Sequence, residues 1–389
     1  MRGQKSALLL STLSMIVCFA VWSVFSPMAG NIQEIYHLST TEKSTLLAAP
    51  ILLGSLMRIP MGMLTDRLGA RKVYVWTMLF LMLPLVGAGF ADSYGMLLFY
   101  ALFIGMAGST FAISMAYVSR WFPPEKQGFV LGIAGLGNLG VALANFMIPI
   151  AHAQWGPSWV FWGLTAILGF MAIVFGMGAR DLPPPKELKT LKQTLKVLKK
   201  KEIWRLNLYY FLTFGGFVTF SVYLPNFLKE LFKLTSTEAG LLTSIFVLLA
   251  TLIRPGGGYL ADRIGASKVL TMVFGGIFFF GIILAFSYHN FIFFTTNCLA
   301  ISFLLGIGNG AVFKLVPEVS PENTGAVAGI VGAAGGIGGF FPPVLLGVVK
   351  DVLGDYQFGF IFLVMFALLC LVTNWMNSMR KVPRAQKIA

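Results

Sequence analysis

Arg58, in LLGSLMRIPMGMLTDRLGARK, and Arg254, in LLATLIRPGGGYLADRIGASK, stand 196 residues apart, each inside a long apolar stretch. The same offset carries Gly62 to Gly258, Asp66 to Asp262 and Gly69 to Gly265, so the chain is an internal duplication that keeps one arginine in each copy. A guanidinium placed in hydrocarbon costs roughly 2.5–3.5 kcal/mol on insertion scales and normally turns toward a polar interior. Each arginine lies about 12 Å along its helix from the following aspartate, at 1.5 Å per residue, which puts both near mid-membrane. Equivalent residues at equal depth in a duplicated bundle face each other across its axis. Two cations that cannot shed a proton repel each other there, and a bound anion would relieve the strain. The alternative is that each arginine snorkels or bonds carbonyl groups at a helix break, for which the PGGG after Arg254 is suited.

The other charged residues support a positive interior. All 15 acidic residues fall in loops or near the ends of apolar runs, whereas a cation carrier, or proton coupling through a carboxylate, needs a deep Asp or Glu. Lys314, in GNGAVFKLVPEV, is the one deep cation besides the arginines. A buried lysine can carry a proton, but Glu318 one turn on would instead make it half of an i,i+4 ion pair. Cys18, Cys298 and Cys370 are isolated within apolar runs, and His37, His152 and His289 share no ligand-type spacing. No disulfide framework, metal site, cofactor or nucleophile–base pair is expected, and so no enzyme.

The elements that must position the arginines follow from composition. Of the 389 residues, 57% are hydrophobic and 11% charged, and apolar runs of membrane-spanning length recur throughout. The expected fold is an all-α polytopic membrane protein with twelve transmembrane helices in two six-helix halves. Residues 1–179 form the N-terminal bundle, 180–204 a basic linker and 205–389 the C-terminal bundle. The first run, from Ala7 to Ala29, is too long for a signal-peptide core and is expected to be retained. With both termini cytoplasmic, only Lys43, Lys229, Lys233 and Lys350 fall outside and only Arg58, Arg254 and Lys314 within the membrane, of 29 Lys and Arg in all. That bias accounts for the net charge of +14 without nucleic acid. Leu188, Leu191, Leu195 and Leu198 of the linker recur at near-helical spacing, as in a basic amphipathic helix lying on the anionic inner leaflet.

Two further duplicated signatures carry the rest. GMLTDRLGARK and GYLADRIGASK resemble the loop motif of the major facilitator superfamily; Asp66, Arg67, Asp262 and Arg263 are expected to hold its cytoplasmic gate by capping a helix end or pairing with a nearby charge. GFVLGIAGLGNLG at 128–140 and GAVAGIVGAAGGIGG at 325–339 contain Gly135, Gly137, Gly140, Gly335, Gly336, Gly338 and Gly339. Glycines let helix backbones approach closely. Packing alone does not explain Asn138, whose carboxamide can donate to a ligand oxygen.

These signatures, together with the paired arginines, resemble the nitrate/nitrite porter family of that superfamily. The resemblance covers the whole chain and implies a monomeric carrier in a bacterial plasma membrane that works by alternating access. It implies that Arg58 and Arg254 grip the anion from opposite halves, that Asn138 adds a donor, and that Phe111, Tyr210 and Phe214 flank the flat ion. Nitrate and nitrite are planar monoanions that match a guanidinium fork. Exchange of nitrate for nitrite is the expected cycle. Proton-coupled nitrate symport, and carriage of another small anion such as formate or oxalate, are the alternatives.

Overall fold

The computed structural model describes residues 2–123, 130–183, 193, 195–319 and 324–381. Among them, 11 helices are long and apolar enough to cross a membrane, and the bent pair Thr40–Leu56 and Arg58–Leu68 raises the number to 12. Spans 1 to 6 are Gly3–Tyr36, the bent pair, Ala70–Gly89, Tyr94–Trp121, Val130–Trp155 and Pro157–Gly178. Spans 7 to 12 are Lys201–Phe232, Ser236–Ile264, Ala266–Ser287, Phe291–Val316, Val327–Leu353 and Gln357–Asn377. Span 1 runs further than its apolar core, because helix Arg2–Trp22 continues after a short turn into Phe25–Tyr36. Of the linker, Leu188 and Leu191 lie outside the described residues, as does Gly128 at the head of the first glycine signature. Lys196–Lys199 forms a single 3-10 turn leading into span 7.

The duplication extends to backbone detail. Span 1 ends on His37 and span 7 on Lys233, the only two non-glycine residues with positive φ among those described, at 51° and 58°. These left-handed caps close the helix ends, and each is followed two residues later by a capping box. Ser39 and Glu42 open span 2, while Thr235 and Glu238 open span 8. Gly69 and Gly265, with φ of 88° and 91°, turn the chain from span 2 into 3 and from span 8 into 9, which only glycine does without strain. Asp181 receives the backbone N–H of Arg71 at 3.0 Å, placing a carboxylate at the positive end of span 3.

The halves meet along span 2 against span 11 and span 5 against span 8. Spans 3 and 6, and spans 9 and 12, pair on the outside. There Leu83, Phe170, Met177, Met272, Phe286 and Met365 are exposed, as befits surface turned to lipid. Small residues set the close contacts. A Cβ on Gly140 would sit 1.9 Å from the carbonyl oxygen of Ile16 on span 1. One on Gly338 would meet Phe211 O at 2.5 Å, one on Gly336 Ser55 Oγ at 2.0 Å, one on Gly339 Val218 Cγ1 at 2.5 Å, and one on Gly137 Met15 Cγ at 2.3 Å. These five glycines serve helix packing. Gly140→Ala should lower stability by about 1–3 kcal/mol through overpacking, read as thermal unfolding of the purified protein, while Gly95→Ala, where a Cβ meets nothing within 4 Å, should leave it unchanged.

Candidate functional site

Arg58 is 1% exposed and Arg254 8%, and no carboxylate pairs with either among the described residues. Arg58 begins the second half of span 2, just past a 41° bend at Met57. Pro60 explains the bend: lacking an N–H, it cannot bond the carbonyl one turn back, and it is tolerated in the first turn of a new helix. The helix break that the alternative reading placed after Arg254 is not present, since helix Ser236–Ile264 runs unbroken through Pro255. The break that frees backbone for an arginine lies in the other half.

Two 3-10 segments border the site, Gly105–Ser109 in span 4 and Gly135–Asn138 in span 5. Such tightened turns leave backbone carbonyl groups free to accept other donors. Arg58 Nε donates to Gly108 O at 3.4 Å, and its Nη1 donates to Gly332 O on span 11. Arg254 Nη2 donates to the Tyr210 hydroxyl at 3.2 Å. The other guanidinium N–H groups have no protein acceptor among the described residues.

Aromatic rings surround both cations. The Arg58 guanidinium lies 5.0 Å from the Phe111 ring centre and 5.1 Å from Phe214, and Arg254 lies 5.9 Å from Phe111 and 5.4 Å from Phe313. Both arginines thus share one ring, so the duplication has brought them to a single place. Tyr210 stacks on Phe214 at 5.0 Å and 9°. Cation–π contact contributes about 2 kcal/mol in desolvated sites, partial compensation for burying charge.

The glycine signatures cross over. A Cβ on Gly135 would lie 3.6 Å from Arg254 Nη1, and one on Gly332 would lie 3.8 Å from Arg58 Nη1 and 3.6 Å from Phe111 Cε1. Gly135 and Gly332 occupy equivalent places in the two signatures, so each arginine packs against the signature glycine of the opposite half. Gly335 lets Tyr210 in, since a Cβ there would strike Tyr210 Cδ1 at 2.3 Å. Asn138 is buried, but its Nδ2 donates to Gly135 O at 2.9 Å, and it is the carbonyl Oδ1 that has no partner.

The expected residues therefore divide. Arg58, Arg254, Phe111, Tyr210 and Phe214 converge, with Gly135, Gly332 and Gly335 clearing space. Phe313, Gly108 and Gly332 were not anticipated; superposing the two signatures would have paired Gly332 with Gly135, and Phe313 adjoins the conspicuous Lys314. The ion pair expected between Lys314 and Glu318 is replaced by one to Asp262 at 2.5 Å. Close packing of span 10 on span 8, where a Gly310 Cβ would touch Arg254 O at 2.2 Å, brings these two side chains together, with Glu318 left in longer electrostatic reach. Arg263 lies over the Tyr259 ring at 4.9 Å, and Arg67 is exposed. All three cysteines are buried and free, and the described residues hold no cluster of metal-ligating side chains.

Twelve spans in duplicated halves around a central charged site define a transporter architecture. The profile of the major facilitator superfamily matches residues 11–343 and again 206–388, and the chain belongs to that superfamily. It is 36% identical over 389 residues to a probable nitrate transporter NarT of Staphylococcus epidermidis, with all of both chains covered. It is 40% identical to the nitrite extrusion protein of Bacillus subtilis over 378 residues, covering 96% of this chain and 94% of that one. These relatives identify its group within the superfamily. A bacterial homolog of the human lysosomal transporter Spinster, solved in an inward-facing and occupied conformation, shares the fold at 16% identity with a TM-score of 0.73, covering 97% of each chain. Tyr210→Phe removes the acceptor for Arg254 while keeping the stack on Phe214. It should leave the unfolding temperature nearly unchanged and weaken protection by added nitrate or nitrite roughly tenfold, read as the anion concentration needed for a given thermal shift.

Proposed function

We propose that this protein is a secondary carrier for nitrate and nitrite, which moves these anions across a bacterial plasma membrane by alternating access. The observation that carries this reading is the pair of buried guanidiniums sharing the Phe111 ring, with no carboxylate pairing to either among the described residues. Such a site favours a small anion, and its few donors suit nitrate or nitrite better than a multiply charged phosphate. Planar guanidinium groups offer in-plane donors to a flat oxyanion, and the Tyr210 hydroxyl, which accepts from Arg254, keeps its own proton to donate. The rings of Phe111, Phe214 and Phe313 around the arginines suit a weakly hydrated ion. The names of the relatives from Staphylococcus and Bacillus agree with that chemistry.

In this reading residues 1–179 and 205–389 rock as units joined by 180–204, with both termini cytoplasmic, the linker on the anionic inner leaflet and the protein a monomer. Asp66, Arg67, Asp262 and Arg263 act at the end where the termini lie. The carrier exchanges nitrate for nitrite, because the empty, doubly positive site resists closing and an anion lowers that barrier. Lys314 is held by Asp262, which favours a structural role for it over proton carriage. Transport requires no covalent chemistry and no cofactor.

Reconstitution tests this directly. Nitrate uptake should appear in vesicles loaded with nitrite or nitrate, be near background in empty ones, and disappear in Arg58→Lys and Arg254→Lys at fixed pH. Uptake into empty vesicles that collapses without a proton gradient would overturn exchange in favour of symport. Competition by formate or oxalate but not nitrite would overturn the substrate assignment.

A further inference from the structure

The end of the bundle away from the termini is closed by bonds that join the two halves. Ser26 Oγ on span 1 donates to Val222 O on span 7 at 2.7 Å, and the hydroxyls of Ser44 on span 2 and Tyr223 on span 7 lie 3.0 Å apart. At their centre is Lys43 of span 2, whose side chain is 1% exposed. Its ammonium donates to Gln33 Oε1 at 2.8 Å, to Asn226 Oδ1 at 2.8 Å and to Glu230 Oε1 at 2.6 Å. Those three acceptors use all three ammonium protons. Glu230 is held in turn from the C-terminal half, where the Tyr356 hydroxyl donates at 2.5 Å to its second oxygen. Asn226 and Glu230 stand one helical turn apart on span 7, so a single face presents both acceptors across the seam.

We propose that Lys43 and Glu230, with Asn226, Gln33 and Tyr356, form an ionic latch that keeps this end shut and must open once in every cycle. The inference rests on the alternating-access reading, since an anion can reach Arg58 and Arg254 from this side only if spans 2 and 7 part here. An ion pair suits a reversible seam. Lys43 is buried and Glu230 half-buried, with 32% of its side chain exposed, so their attraction is largely offset by the hydration lost on closure, and separating them returns much of what closure removed. A continuous apolar seam would expose hydrocarbon at each opening with no such return. The pair also fixes register, because Lys43 finds its three acceptors in only one alignment of the halves. Removing the Glu230 charge alone leaves Lys43 buried in the closed seam without its ion-pair partner, and should therefore populate the state open at this end.

The test uses the full-length protein with its three buried cysteines replaced and a reporter Ile51→Cys. Ile51 is 1% exposed and lies against the seam, where a Cβ on Gly339 of span 11 would meet its Cγ2 at 3.5 Å. A membrane-impermeant maleimide is applied to each face of membrane vesicles in turn. The single variant Glu230→Gln should raise labelling from the face opposite the termini by roughly tenfold, with no rise from the other face. The exchanged pair Lys43→Glu with Glu230→Lys should return labelling toward the wild-type rate. An unchanged rate in a Glu230→Gln variant that elutes as a single species and unfolds cooperatively would overturn the latch, as would an increase that the exchanged pair leaves in place. Labelling reports this independently of transport, so a failed uptake assay would count against the anion assignment alone.

Discussion

Burial of two guanidiniums beside a single aromatic ring, with no carboxylate among the described residues to neutralise them, is the constraint around which the rest of this molecule is arranged. Arginine keeps its charge at any physiological pH, so the protein cannot relax the site by losing a proton. It solvates the cations with what a helical bundle can supply. Carbonyl groups of Gly108 and Gly332 turn to Arg58, the Tyr210 hydroxyl to Arg254, and Phe111 lies against both, Phe214 against Arg58 and Phe313 against Arg254. Each of these is a weaker partner than a carboxylate, which leaves the site receptive to an anion.

The helix distortions follow from the same requirement. One acceptor, Gly108 O, comes from a 3-10 segment and the break at Met57 starts the helix that carries Arg58, whereas Gly332 O comes from the unbroken span 11; the second 3-10 segment, Gly135–Asn138, gives Arg254 room. The signature glycines divide the labour: Gly135, Gly332 and Gly335 make space at the site, while Gly140 and Gly338 bring backbones into contact and fix the spans that carry it. A methyl group at either kind of position would be felt at the site, directly in the first case and through helix spacing in the second.

Much of this could be read from the residues themselves. An offset shared by Arg58, Asp66 and Gly69 with Arg254, Asp262 and Gly265 gives the duplication, and apolar run length gives the spans, because a bilayer tolerates few other solutions. What escaped depended on which helices touch. Nothing local places Asp262 within 2.5 Å of Lys314 when Glu318 is one turn away. The proline at 255 argued for a break that packing suppressed, whereas Pro60 produced one. Asn138 could be recognised as out of place among glycines, but not that its amide would bond its own helix and leave the oxygen without a partner. Glu230 shows the same limit: near a span end by count, it is drawn into a half-buried network by the buried Lys43 from the other half.

Calorimetric titration of nitrate and nitrite into the purified protein, beside chloride and sulfate, tests the central claim most directly. The account predicts one saturable site for the planar monoanions, much weaker binding of chloride and sulfate, and no measurable heat of binding in either Arg58→Lys or Arg254→Lys. Retained nitrate affinity after both arginines are replaced, in protein that remains folded, would contradict it.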